Sequence, residues 1–327
     1  MAPSEDPAAL LFERCFYIGN ILQSICYGVI LYVAFDSIAL LRERRYSSNR
    51  FTGIVRTQDN IAGNRVFLIA YVLVMLFCMT FALATNGLAG QRMWIEYRDV
   101  EGGPFQQFSD TASNWENVTG TAFDQFGNFL GDLLLLYRCY IIWDSNKLVL
   151  IFPTILFLGS TAMAIVSCVQ SALPGSSFFE GKAVSFAIPW ISLTCSLNVL
   201  LTVLITYRLI HARRYVRIGT SLQASDLVRM YTGPVAIFIE SALPFSVLGV
   251  IFAILLGRGV AVYAIFSAVW GSYVGIAPLL IIHRMASGKA WTRNTAYQMS
   301  TINENLTEEP TVDSGGKMDR SDSGHHV

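Results

Sequence analysis

Seven stretches of about 20 or more predominantly apolar residues run through this chain, near 15–41, 66–90, 121–143, 148–171, 183–207, 230–256 and 260–283. At a rise of about 1.5 Å per residue, each can cross a bilayer core of about 30 Å as a helix. Composition agrees. Of 327 residues 53% are hydrophobic and only 14% are charged, against about 25% charged in soluble domains, and the mean hydropathy is +0.47. The pattern predicts an all-α membrane protein, a seven-transmembrane helix bundle over 15–283. A short amino terminus (1–14) precedes it and a polar tail (284–327) follows. The first stretch exceeds a signal-peptide core and follows the acidic MAPSEDPAALLFER, so it reads as a retained helix.

Basic residues orient the bundle, because short cytoplasmic loops carry the excess of Lys and Arg. Eighteen fall on one side, among them Arg42, Arg44, Arg45, Arg138, Arg208, Arg213 and Arg284, and five on the other: Arg14, Arg92, Arg98, Lys182 and Arg258. The amino terminus is therefore expected outside and the carboxy terminus in the cytoplasm, with the plasma membrane as the expected location. Asn117-Val118-Thr119, a glycosylation sequon, falls in the acidic outer loop close to the third span. The tail after about 285 is rich in Ser, Thr, Asn, Gly and Glu, cannot bury a core, and reads as disordered.

Several functions are argued against by what is missing. Lys plus Arg (23) balances Asp plus Glu (23), leaving no global basic footprint for nucleic acid. All six cysteines lie inside apolar runs, without a CxxC pair, so neither a disulfide framework nor a redox motif is expected. The lysines are Lys147, Lys182, Lys289 and Lys317, none in the seventh span, so a retinal Schiff base there has no attachment point. Only His211 and His283 lie near the bilayer, too few for a multi-histidine metal site. Gly131-Asp132 lacks the partner motif of an intramembrane aspartyl protease, and there is no phosphate-cradling glycine loop. The expectation is a protein that is not an enzyme and carries no cofactor and no metal.

The informative residues are the polar ones inside the spans, since an Asp at a helix centre costs at least about 2.5 kcal/mol on insertion scales. Asp124, Asn128 and Asp132 stand at i, i+4 and i+8, on one face of the third helix. Counting from the inner ends, Asp132, Asn198, Glu240 and Tyr273 share one midplane layer, roughly 14 to 17 Å deep. These six residues form a candidate central polar cavity. Its acids could share a proton or bind a cation, and the competing reading is a structural network that fixes helix register. Arg138 at the inner end of the third helix is a candidate cytoplasmic switch or lipid contact. Asp36 lies near an inner end, within reach of water. Gly127-xxx-Gly131 and Gly271-xxx-Gly275 are small-residue pairs that let neighbouring helices approach.

The run Asp132 to Trp143 (DLLLLYRCYIIW) followed by Pro153, Ser196-Leu197-Asn198 with Thr202 and Arg208, and Tyr231 followed by Ile239-Glu240-Ser241-Ala242 resemble a family of uncharacterised seven-helix membrane proteins of mushroom-forming (basidiomycete) fungi. The resemblance spans roughly 15–285 and implies the seven-helix fold and a fungal source, but no ligand or activity. In topology the chain is also similar to G-protein-coupled receptors. It departs from the common receptor pattern: its outer loops lack cysteines, no acid neighbours Arg138, and Pro278-Leu279-Leu280 stands where an NPxxY sequence would.

Three functions follow as expectations. A receptor-like integral membrane protein would bind an unknown small ligand in the polar cavity and engage a heterotrimeric G protein, or another cytoplasmic partner, through its basic loops. A carrier or channel would use the same acids for a proton, cation or small metabolite. A membrane scaffold would use its tail. The lipid bilayer is the partner common to all three.

Overall fold

A computed structural model describes residues 7–51, 58–98, 103–111, 113–143, 147–173, 181–219 and 243–287. They form helices α1 (Pro7–Phe51), α2 (Gln58–Gln91, continued by a π-helical turn, Arg92–Glu96), α3 (Gly103–Asp110), α4 (Trp115–Ile142), α5 (Lys147–Ser171), α6 (Gly181–Gly219), α7 (Leu243–Gly257) and α8 (Tyr263–Ala286). Among the described residues there is no strand. Five segments are long and apolar enough to cross a membrane: Pro7–Arg42, Arg65–Glu96, Leu148–Ser171, Val184–His211 and Tyr263–Ala286. The expected third span lies in α4, a 28-residue helix that also holds Glu116, Asp124, Asp132 and Arg138. The expected sixth span is described only over its second half, as α7. The tail from 288 onward, expected to be disordered, lies outside the described residues.

Burial is distributed as a bilayer requires. Large apolar side chains cover the exterior, with Leu148 78%, Tyr32 72%, Phe35 62% and Leu158 61% exposed, while Asn128, Asp132 and Asn198 are nearly fully buried. In water such an exterior would be an aggregation surface; in lipid it is the stable one, because hydrocarbon solvates Leu and Phe and leaves polar groups to find partners inside. The chain is a helical membrane protein.

α4 is the central element, packed against α2, α5, α6 and α8, while α1 lies along α8 and α2 and α5 along α6. Lipid removes the hydrophobic drive between spanning helices, so close packing and polar contacts hold them. Glycines provide the closeness. Gly127 of α4 lies against Met79, and Gly131 faces Pro278 and the Val274 carbonyl at 3.6 and 3.8 Å from where a Cβ would stand. The second expected pair divides: Gly275 meets Met79 and Ile30, whereas Gly271 faces open space. The reason is that Gly271 borders a cavity between the helices, so no helix reaches it.

The prolines inside α5, α6 and α8 (Pro153, Pro189 and Pro278) leave each helix continuous. Each still deprives the carbonyl four residues earlier of its donor. Between α7 and α8, Gly259 takes a left-handed conformation (φ 64°) while the Val260 N–H bonds to the Leu255 carbonyl, a cap that reverses the chain in a few residues. At that same end Phe12, Phe16, Trp94, Phe108 and Tyr263 stack into an aromatic cluster joining α1, α3, α8 and the π-helical turn.

Candidate functional site

The polar interior is built from two matching stripes. On α4, Asp124, Asn128 and Asp132 stand four residues apart, and on α6, Thr194, Asn198 and Thr202 do the same. Side chains four apart share a helix face, so two such stripes on packed helices oppose each other over about two turns. The Thr194 hydroxyl donates to Asp132 Oδ2 at 2.6 Å, and the Asn128 amide Nδ2 lies 3.0 Å from Thr194 Oγ1 and 3.3 Å from Asp132 Oδ2. All three residues are buried. In a low-dielectric interior each of these bonds is strong, and each unmet group is costly.

Below this triad lies a narrow cavity lined by Asn128, Asp132, Asn198, Thr202 and Tyr273, with Val274 and Pro278 of α8 and Phe245 of α7. It is just large enough for one water-sized particle. Three members of the expected layer, Asp132, Asn198 and Tyr273, therefore do meet. Glu240, the fourth, lies outside the described residues.

Asp124 belongs elsewhere. Eight residues, or about 12 Å, up α4 from Asp132, it lines a wide cavity among α1, α2, α4, α6, α7 and α8, about 1080 Å³ including its mouth. The single cavity expected from sequence is thus two, because an i+8 spacing along a straight helix separates residues that share its face. Asn20, Gln23, Asn86 and Gln125 add polar groups to the wide cavity; Phe16, Phe108, Trp190, Phe252 and Trp270 add aromatic surface. Asn86 donates to Gln23 at 3.0 Å, whereas Gln125 Nε2 and Asn20 Nδ2 are buried without a hydrogen-bond partner among the described residues. Among the described residues no hydrogen bond reaches the Asp124 carboxyl. Val274 borders both cavities.

Arg138 is 8% exposed, with Nη2 3.5 Å from the Ile281 carbonyl of α8, so its side chain turns into the bundle rather than outward to lipid. The inward course follows from α4 being surrounded by α2, α5, α6 and α8. Asn117 is half-buried and its amide donates to the Thr111 carbonyl at 3.0 Å. Asp36, expected simply to reach water, bonds His283 Nε2 at 2.7 Å.

Two features had a readable signal that the sequence reading left unused. The i, i+4, i+8 spacing of Thr194, Asn198 and Thr202 mirrors that of α4. Asp36 and His283 both stand toward the inner ends of the first and last expected spans, Asp36 about a turn and a half in and His283 at the end itself. Their pairing needed the knowledge that α1 packs on α8.

No protein-family model, no curated protein and no solved structure matches the chain. Fold and interior define a helical membrane protein with a buried polar network between its central helices.

Proposed function

We propose that this is a seven-helix, receptor-like plasma-membrane protein, amino terminus outside, that binds a small ligand bearing a positive charge in the wide cavity. The carrying observation is the placement of Asp124. A carboxyl without a hydrogen-bond partner among the described residues shares a cavity with five aromatic side chains, a combination suited to an ammonium or guanidinium group, which is drawn by charge and by cation–π contact. Below it, Val274 separates this cavity from the Asn128–Asp132–Thr194 triad, so a ligand resting on that wall would bear on the contact between α4 and α6. Such a bias on a two-state bundle is what signalling requires. The seven-helix topology is the one implied by the resemblance of the Asp132–Trp143 run and its companion motifs to the fungal family.

The cavity is tested with a panel of primary, quaternary and guanidinium amines as probes, following the fluorescence of the purified protein, since Trp190 and Trp270 line the wall. Saturable quenching by at least one amine, lost in Asp124→Asn, supports the reading. A response unchanged in that variant removes it. Signalling is tested separately by asking whether a G-protein α subunit co-purifies and leaves on addition of a GTP analogue.

A carrier for a proton or cation is the second reading, favoured by the stacking of two polar cavities on either side of Val274. Proteoliposomes that move the ion, and stop when Asp132 is replaced by Asn, would decide for it.

A further inference from the structure

We infer that the narrow cavity is a binding site for one sodium-sized monovalent cation, held between α4, α6 and α8 by oxygen atoms. This does not rest on the ligand reading of the wide cavity.

The oxygens come from four residues. Asp132 is 4% exposed, and both bonds that reach it fall on Oδ2, leaving Oδ1 unengaged among the described residues. Asn198 and Thr202, 4% and 8% exposed, line the same cavity, and Asn198 Oδ1 and Thr202 Oγ1 are buried with no hydrogen-bond partner among the described residues. A buried acceptor left unmet is costly, and two of them beside a carboxylate call for a positive or hydrogen-bonding occupant. Val274 adds a fourth oxygen. Its carbonyl would accept from the amide of residue 278, but that residue is Pro278, which has no N–H. Both residues line the cavity.

Charge and size select the occupant. One carboxylate among the described residues faces this cavity, so a monovalent ion neutralises it while a divalent ion would bury an uncompensated positive charge. Carboxylate, amide, hydroxyl and carbonyl oxygens suit hard cations and not thiophilic or imidazole-seeking metals. The space fits one water-sized particle, which admits a bare sodium ion and excludes an organic ammonium.

The test is the unfolding midpoint of the purified full chain in sodium, lithium, potassium or choline chloride at equal ionic strength. The expected result is a saturable rise with sodium over choline, smaller with potassium, and absent in Asp132→Asn. Thr202→Val keeps the shape and removes one oxygen; it should raise the half-saturating sodium concentration about tenfold or more. Equal midpoints in sodium and choline would overturn the proposal, and so would a sodium effect that persists in Asp132→Asn. A midpoint that follows pH but not sodium would assign the cavity to a proton instead, and would equally overturn it. Should Asp132→Asn fail to fold, Thr202→Val decides alone: an unchanged sodium response refutes the site. Loss of amine binding in Asp124→Asn would leave this sodium response intact, so the two readings fail separately.

Discussion

Asp36 on α1 and His283 in the last turn of α8 meet at 2.7 Å between carboxylate Oδ2 and ring Nε2, a direct polar tie between the first and last described helices. Both side chains keep partial access to their surroundings, 40% and 26% exposed, so the contact is worth less than a fully buried one. Around it α1 and α8 pack along their length.

A double-mutant cycle on this pair should give a coupling of about 0.5–1 kcal/mol. Asp36→Asn and His283→Gln would each lower the unfolding midpoint, and the double variant would fall no further than the worse single one. Strictly additive losses would show that the two residues do not act together.

Thr194→Val should destabilise the bundle by about 1–2 kcal/mol, because the isosteric change removes the hydroxyl that donates to Asp132 and accepts from Asn128. Thr194→Ser should retain most of the stability. Denaturation in detergent reads both. An unaffected valine variant would mean that the triad contributes nothing to holding α4 on α6.

Two glycine replacements should part company. A Cβ on Gly120 of α4 would stand 2.9 Å from the Thr85 Cβ of α2, so Gly120→Ala must push two packed helices apart, at about 1–3 kcal/mol. At Gly271 nothing lies within 4 Å, so Gly271→Ala should be neutral or slightly stabilising through its helix propensity. Thermal midpoints of the two variants, measured side by side, check the ordering.

Asn117 should carry no glycan although its sequon is intact. Its amide nitrogen is engaged with the Thr111 carbonyl at 3.0 Å, and the residue lies in the first turn of α4, half-buried at the edge of the wide cavity. The protein purified from a glycosylating eukaryotic host should show the same mobility before and after endoglycosidase treatment. A shift that vanishes in Asn117→Gln would contradict this placement.

Hydropathy located the helices well because each span must satisfy its own backbone in lipid, a constraint that acts locally and is written residue by residue. The stretches near 66–90 and 148–171 fall inside α2 and α5, and the one near 260–283 overlaps α8 from Tyr263 onward. The polar stripe on α4 was equally legible, since spacing along one helix is a property of one segment. Asp132, Asn198 and Tyr273 were placed at one level by counting from helix ends, and they line one cavity.

Sequence alone therefore determined the helical membrane class and the presence of acids that need an interior. Tertiary packing decided the rest: that Asp124 and Asp132 serve different cavities, that Thr194 meets Asp132, that Arg138 turns inward, and that Asp36 finds His283 across the bundle. The physical reason is the separation of scales. Burial of backbone polar groups is decided within a segment, whereas the partner of a side chain depends on which helices lie together, and among apolar helices in lipid that choice is made by packing and polar contacts distributed over the whole chain.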